Sequence, residues 1–193
     1  MTRSKEDTRK LILDAAEGVL RQRGAHAMTM DSVARAAKCA KGLVSYHFQT
    51  KKLLLVETVL QIAAAREAVW AEAFDTQNPH DAIDRTWEVV KGEADSGTLK
   101  AWTSLVGLAD DAIDQTVNKV SLAFRSQITE ATKELLARAG LRATIGSEPL
   151  GWLLAAVVHG IGFQLAAGGD MDVLENAYAA AWLGLLSLTE PLD

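Results

Sequence analysis

The chain has 193 residues, 49% of them hydrophobic and 23% charged, with three prolines and one cysteine. That composition excludes a disordered chain, and the single cysteine excludes an internal disulfide or a cysteine-based zinc cluster. The formal net charge of −5 is unevenly spread: residues 1–52 hold eleven basic and five acidic side chains, net +6, whereas residues 53–193 hold nine and twenty, net −11. A basic head on an acidic body suits a polyanion-binding surface attached to something else.

Met1-Thr2-Arg3-Ser4-Lys5-Glu6-Asp7 lacks the apolar core of a secretory signal. The longest apolar stretch, residues 150–167, is interrupted by Gly151, His159, Gly160, Gly162 and Gln164, and is expected to fall short of a membrane span of roughly 20 apolar residues. The expectation is a soluble, cytoplasmic protein without a membrane partner.

Almost every window reads as helix. Ile12, Ala16, Val19 and Leu20 form one stripe, predicting a helix over residues 6–23 that stops at Gly24. Thr29 is a candidate N-cap for a helix carrying Met30, Val33, Ala34 and Ala37 on one face. After Lys38-Cys39-Ala40, residues 41–48 form a second short helix with Val44 and Phe48 inward, and Thr50 opens a long helix over 51–74. Asn78-Pro79 starts a helix reaching residue 94, and further helices are predicted over 98–109, 112–139, 150–167 and 171–188, punctuated by Gly97, Gly140 and Gly168-Gly169. No alternating strand pattern or long-period repeat stands out. The fold class is all-α, about nine helices, with a three-helix head over residues 1–52 and a helical body over 53–193.

Two short helices joined by three residues, after a longer helix, form a helix-turn-helix, whose second helix reads base edges in the major groove. Its candidate contacts are Lys41 for a phosphate or guanine edge, Gly42 for close backbone approach, Leu43 for a thymine methyl and Ser45 for a base or phosphate. Tyr46 and His47 add donors at phosphate height, and Lys51 adds a cation at the next helix start.

The run from Thr29 to Ala37, followed by Lys41-Gly42-Leu43-Val44-Ser45-Tyr46-His47-Phe48-Gln49-Thr50-Lys51-Lys52-Leu53-Leu54, resembles the tetracycline-repressor (TetR) family of transcriptional regulators over about residues 6–56. The Tyr-His-Phe followed by a lysine three residues later is its most specific part. The resemblance implies that Thr29 holds a phosphate, that Lys41, Gly42, Leu43 and Ser45 face the groove, and that Tyr46, His47 and Lys51 grip the backbone. The chain departs from the family pattern at Lys38 or Cys39, where a turn glycine is common, and at Ser45, where an aromatic is common. The resemblance also implies a homodimer on double-stranded DNA, bound at a palindromic operator and released by a small-molecule effector, with no cofactor, no metal and no catalysis.

In the body, Leu153, Leu154, Val157, Val158, Ile161 and Leu165 are apolar at helical spacing, and Ala177, Ala181, Leu183, Leu185 and Leu186 follow on an alanine-rich helix. Residues 150–188 are the candidate dimer helices, with Leu154, Val158, Ile161, Leu165, Ala181 and Leu185 as interface positions. Trp70, Trp87, Trp102, Phe124 and Trp152 lie on five different predicted helices and, with His159, are candidate lining of an effector pocket. Two other classes stay open: a helical-bundle enzyme, for which no GxSxG, HExxH or Glu-x-x-His pattern is present, and a ligand carrier that binds no DNA, which leaves the basic head unexplained.

Overall fold

The computed structural model describes residues 4–106, 108 and 110–192, and among them it holds nine α-helices. Helix α1 (Lys5–Arg23) starts in a capping box, in which Ser4 Oγ accepts from the Asp7 N–H at 3.0 Å and the Asp7 carboxylate accepts from the Ser4 N–H at 3.2 Å. It ends at Gly24, φ +75°, and one 3-10 turn, Ala25–Ala27, leads to α2 (Met30–Ala36). Helices α3 (Lys41–Phe48) and α4 (Lys51–Phe74) follow. Asn78 caps α5 (Pro79–Asp95), with Pro79 in the first turn, where its missing N–H costs nothing. Helix α6 (Thr98–Leu105) precedes α7 (Asp111–Arg138), and α8 (Ser147–Ala166) and α9 (Met171–Leu186) complete the chain, α9 capped by Asp170.

Three details differ from the sequence reading. Helix α6 stops four residues short of residue 109, because Val106 turns extended and stays 74% exposed; Ala109 itself lies outside the described residues. Helix α8 begins three residues early, since Pro149 falls in its first turn and removes no helical hydrogen bond. A two-stranded antiparallel sheet is also present, β1 (Leu141–Ala143) against β2 (Thr189–Pro191), with Leu141 opposite Pro191 and Ala143 opposite Thr189. Three-residue strands are too short to show a period of two. By length and composition, α8 is also long and apolar enough to cross a membrane, with a mean hydropathy of 1.4 over its most apolar window. It nevertheless buries Leu150, Leu154, Ala155 and Val158 in the protein's own core.

The chain divides into two compact units. One comprises Met1–Ala64 and Gly97–Val120, the other Ala65–Ser96 and Ser121–Asp193. In the first, Ile12, Ala16, Leu20, Val33, Val44, Phe48, Leu54 and Val59 form the core, joined by Ala101 and Leu105 of α6. Helix α6 is tied to the end of α1: Ser104 Oγ accepts from the Ala25 N–H at 2.9 Å, and Lys100 Nζ donates to the Gln22 carbonyl at 2.7 Å. Gly97 is required there, with φ +77° and a position where a Cβ would stand 2.4 Å from the Arg21 carbonyl oxygen.

The second unit packs Trp70, Phe74, Trp87, Phe124, Tyr178 and Trp182 with the buried aliphatics of α8. Inside it lies an ion pair with both side chains under 10% exposed. Arg66 donates through Nε to Glu93 Oε1 at 2.6 Å and through Nη2 to Oε2 at 3.0 Å, while Trp70 Nε1 donates to Oε1 at 2.8 Å. The guanidinium lies 3.6 Å over the Phe124 ring. Tyr178 donates to Thr86 Oγ1 at 2.9 Å, and its burial pushes the phenol pKa above its ordinary value.

Three stability outcomes follow, all read by chemical denaturation. Gly97→Ala should cost about 2 kcal/mol or more through left-handed strain and the Arg21 contact. Gly18→Ala, mid-helix with open space around it, should add about 0.5–1 kcal/mol. Glu93→Ala should cost about 3–5 kcal/mol by stranding the buried Arg66 charge, whereas replacing both partners with apolar residues of matched volume should recover most of that loss.

Candidate functional site

The exposed side of the head is set by which residues α3 must bury. Val44 and Phe48, four apart, are fully buried. That fixes the helix rotation and turns Lys41, Gly42, Leu43, Ser45 and Tyr46 outward, all exposed, with Tyr46 at 65%. His47 is half-buried: its Nδ1 is enclosed without a hydrogen-bond partner among the described residues, and its ring meets Tyr46 edge-on at 5.2 Å. It therefore presents less surface than the sequence suggests, since it sits between the exposed and buried stripes.

Thr29 is exposed and caps α2 reciprocally. Its Oγ1 accepts from the Ser32 N–H at 3.0 Å while Ser32 Oγ accepts from the Thr29 N–H at 2.8 Å. The Thr29 hydroxyl proton has no acceptor among the described residues. Between α2 and α3 the chain reverses through Lys38 at φ +53°, so a lysine occupies a left-handed position that favours glycine. Cys39 is half-buried against the head's core.

Basic side chains surround this face. Lys41 Nζ pairs with Asp31 Oδ2 at 2.8 Å, both side chains 59% exposed, so the pair opens at little cost. Lys5 Nζ lies 5.3 Å over the Tyr46 ring, and Arg9 both pairs with Glu57 and stacks 4.9 Å over Phe48. Lys51 is exposed at the start of α4, where Thr50 Oγ1 accepts from the Leu53 N–H at 3.1 Å. Lys52 Nζ pairs with Asp110 Oδ2 at 2.9 Å. That bond, together with the Ile113 and Ala112 N–H groups on Oδ1, holds the Asp110 carboxyl below the usual carboxylate range against some desolvation.

Of the candidate pocket residues, the structure brings Trp70, Phe124 and His159 together. Trp70 meets Phe124 edge-on at 5.3 Å, and His159 stacks on Phe124 at 5.6 Å. Trp87 is buried beside Tyr178 at 5.4 Å. Trp102 packs half-buried on the first unit's own core. Trp152 is 57% exposed, with Arg125 Cζ 4.0 Å from its ring centre. His159 is exposed on α8, yet the crowding of its ring and then the guanidinium charges of Arg66 and Arg125 push its pKa down to about 4. Near neutral pH it is therefore uncharged, with one acceptor and one donor nitrogen.

Arg66 and Glu93 are the functional candidates that sequence reasoning passed over, although a signal existed. Ile62, Arg66 and Trp70 recur every four residues on the buried stripe of α4, and Thr86, Val90 and Glu93 follow at four- and three-residue steps on that of α5. A charge on each of two buried stripes implies a partner.

Of the candidate interface positions, Leu154, Val158 and Leu185 are buried within the subunit, and Ile161, Leu165 and Ala181 are half-buried. The large exposed apolar side chains on the same two helices are Trp152, Leu153 and Phe163 of α8 and Met171, Val173, Leu183 and Leu186 of α9. Between α8 and α9 lies an apolar groove of about 250 Å³, lined by Leu153, Val157, Ala181, Gly184 and Leu188 among others. Among the described residues, no three His, Cys, Asp or Glu side chains stand together as a metal site.

Residues 12–58 match the model of the bacterial regulatory proteins of the tetR family. The HTH-type transcriptional regulator SrpR of Pseudomonas putida is 34% identical over 85 residues, which are 44% of this chain and 37% of that protein. A TetR-family regulator from Agrobacterium tumefaciens superposes with a TM-score of 0.78 at 18% identity, covering 97% of this chain and all of that one. Another, from Rhodococcus sp., gives 0.76 at 20% identity, covering 93% and 98%. These two structures share the fold. The head thus matches the tetR family model over residues 12–58, and the chain shares its fold with these solved regulators.

Proposed function

We propose that the protein is a cytoplasmic, homodimeric repressor, and not an enzyme, that binds a palindromic operator and leaves it when a small, largely apolar effector enters its body. The observation that carries this reading is the exposed face of α3, where Lys41, Gly42, Leu43, Ser45 and Tyr46 stand outward around a buried Val44–Phe48 stripe. In the complex, Lys41 leaves Asp31 for a guanine edge or phosphate, and Leu43 meets a thymine methyl. Thr29, Tyr46, His47 through its outer ring nitrogen, and Lys51 hold the backbone.

A dimer is supported by the exposed leucines of α8 and α9 beside their apolar groove. Two heads joined through the bodies read two half-sites roughly 34–36 Å apart. Helix α4 is one uninterrupted helix whose first half packs in one unit and whose second half packs in the other. An effector that prefers one arrangement of α4 shifts the equilibrium by its differential affinity for the two states.

Lys41→Ala and Tyr46→Ala should each weaken binding to the preferred duplex by about ten-fold or more without altering the sedimentation of the free protein. Lys51→Ala should lower the slope of log affinity against log salt by about one phosphate's worth. Wild-type affinity in all three variants would remove α3 as the reading element. Leu183→Glu, at a position 58% exposed in the single subunit, should give a folded monomer in sedimentation equilibrium; a dimer of unchanged strength would place the interface elsewhere.

A further inference from the structure

From Thr29 to Lys51 the chain carries four cations, Arg35, Lys38, Lys41 and Lys51, and one acidic side chain, Asp31. A carboxylate on a surface that presses against a polyanion lowers affinity for every duplex, so its place there needs a reason. Capping does not supply one. Thr29 and Ser32 close the start of α2, each accepting from the other's N–H, and Asp31 takes no part. Nor is the carboxylate used along its own helix. Arg35 lies four residues on, at the spacing of a helical ion pair. Asp31 instead reaches across to α3, where Lys41 Nζ donates to its Oδ2 at 2.8 Å. What remains for it locally is a favourable charge in the first turn of α2.

The pair sets an acceptor beside a donor at the start of the reading helix. Lys41 is the first residue of α3, and Lys41, Gly42 and Leu43 are all exposed. The early residues of such a helix are those that reach base edges. Asp31 Oδ2 stands within one hydrogen-bond length of Lys41 Nζ, so a base pair met by one side chain is within reach of the other.

An ammonium only donates and a carboxylate only accepts. Across the major groove a G·C pair presents two acceptors, guanine N7 and O6, and then one donor, the cytosine N4 amino group. An A·T pair presents its donor, adenine N6, between two acceptors, and a carboxylate over that donor meets an acceptor on either side. G·C alone puts both acceptors on the lysine's side and the donor on the carboxylate's.

We propose that Asp31 is a specificity-determining residue: it accepts from the N4 amino group of a cytosine while Lys41 donates to the guanine paired with it, so that the two side chains read one G·C pair in each half-site. The carboxylate thereby weakens binding to duplexes that lack this pair and spares those that hold it. This rests on the reading of α3 as the element that enters the groove, and adds to it a residue of α2 and the identity of one base pair.

Duplexes are first selected with the full-length wild type. Affinities for the winner, and for versions of it changed one pair at a time, are then measured for the wild type, Asp31→Ala, Asp31→Glu and Lys41→Ala, with circular dichroism as the check on folding. The wild type should lose about ten-fold or more when one particular G·C pair of the half-site becomes A·T. Asp31→Ala should cut that loss to about three-fold or less at this pair and leave the other positions unchanged. Lys41→Ala should relax the same pair, and Asp31→Glu should keep part of the discrimination. Removing the 4-amino group of that cytosine should weaken the wild type more than it weakens Asp31→Ala. The assignment is overturned if Asp31→Ala discriminates at every position as the wild type does, or if the pair it relaxes is A·T. A single common gain in affinity for all duplexes would also overturn it, by making Asp31 a repulsive charge and nothing more. A wild type that enriches no sequence contradicts the reading role of α3 and this assignment together; an enriched repeat that Asp31→Ala reads unchanged contradicts this assignment alone.

Discussion

The burial of Val44 and Phe48 is the constraint on which the head depends. An eight-residue helix has no stability of its own in water, because nucleation costs more than two turns return. Helix α3 exists because these two side chains fill a core built by α1, α2 and the first turns of α4. Once they are in place, no rotation is left, and Ser45 and Tyr46 between them are committed to the surface. Reading chemistry is thus a by-product of packing: the side chains that could meet DNA are those the core refuses. The same rigidity extends to α6, whose Ser104 and Lys100 side chains grip the end of α1 and the turn after it, around a glycine that cannot be replaced without displacing a carbonyl.

The body solves a different problem. Its core is rich in large aromatic rings, and it encloses one ion pair whose desolvation cost is offset by three hydrogen bonds and by stacking on Phe124. Such a pair is a weak means of gaining stability compared with apolar packing. Its value lies in the direction it imposes, since Glu93 holds one edge of Arg66 and leaves Nη1 3.5 Å from His159 Nε2.

Local signals carried most of the architecture. Asn78-Pro79 set the start of α5, Gly24 and Gly140 closed helices α1 and α7, and three- and four-residue apolar spacing gave the buried stripes of α1, α2 and α3. The helix-turn-helix was legible for the same reason: its motif is contiguous, and its capping and burial are decided within 25 residues. The parts that were not legible depend on distant pairings. Arg66 and Glu93 sit 27 residues apart, and spacing shows only that each is on a buried stripe, not that they face one another. The strands β1 and β2 pair across almost 50 residues with too few positions to show a pattern. Trp102 and Trp152 look alike in the sequence, yet one packs into the first unit's core and the other stands in solvent over an arginine. Hydrophobicity gives the tendency of a tryptophan to be covered, while its neighbours in space decide by what.

The central claim is that two copies of this head read DNA sequence together. Selection of bound duplexes from a random pool by the full-length protein, followed by the salt dependence of the winner's affinity, tests it most directly. The expected winner is an inverted repeat with half-sites about one helical turn apart, with a steep fall in affinity as salt rises. Retention of the pool without enrichment, or enrichment of an isolated half-site, would contradict it.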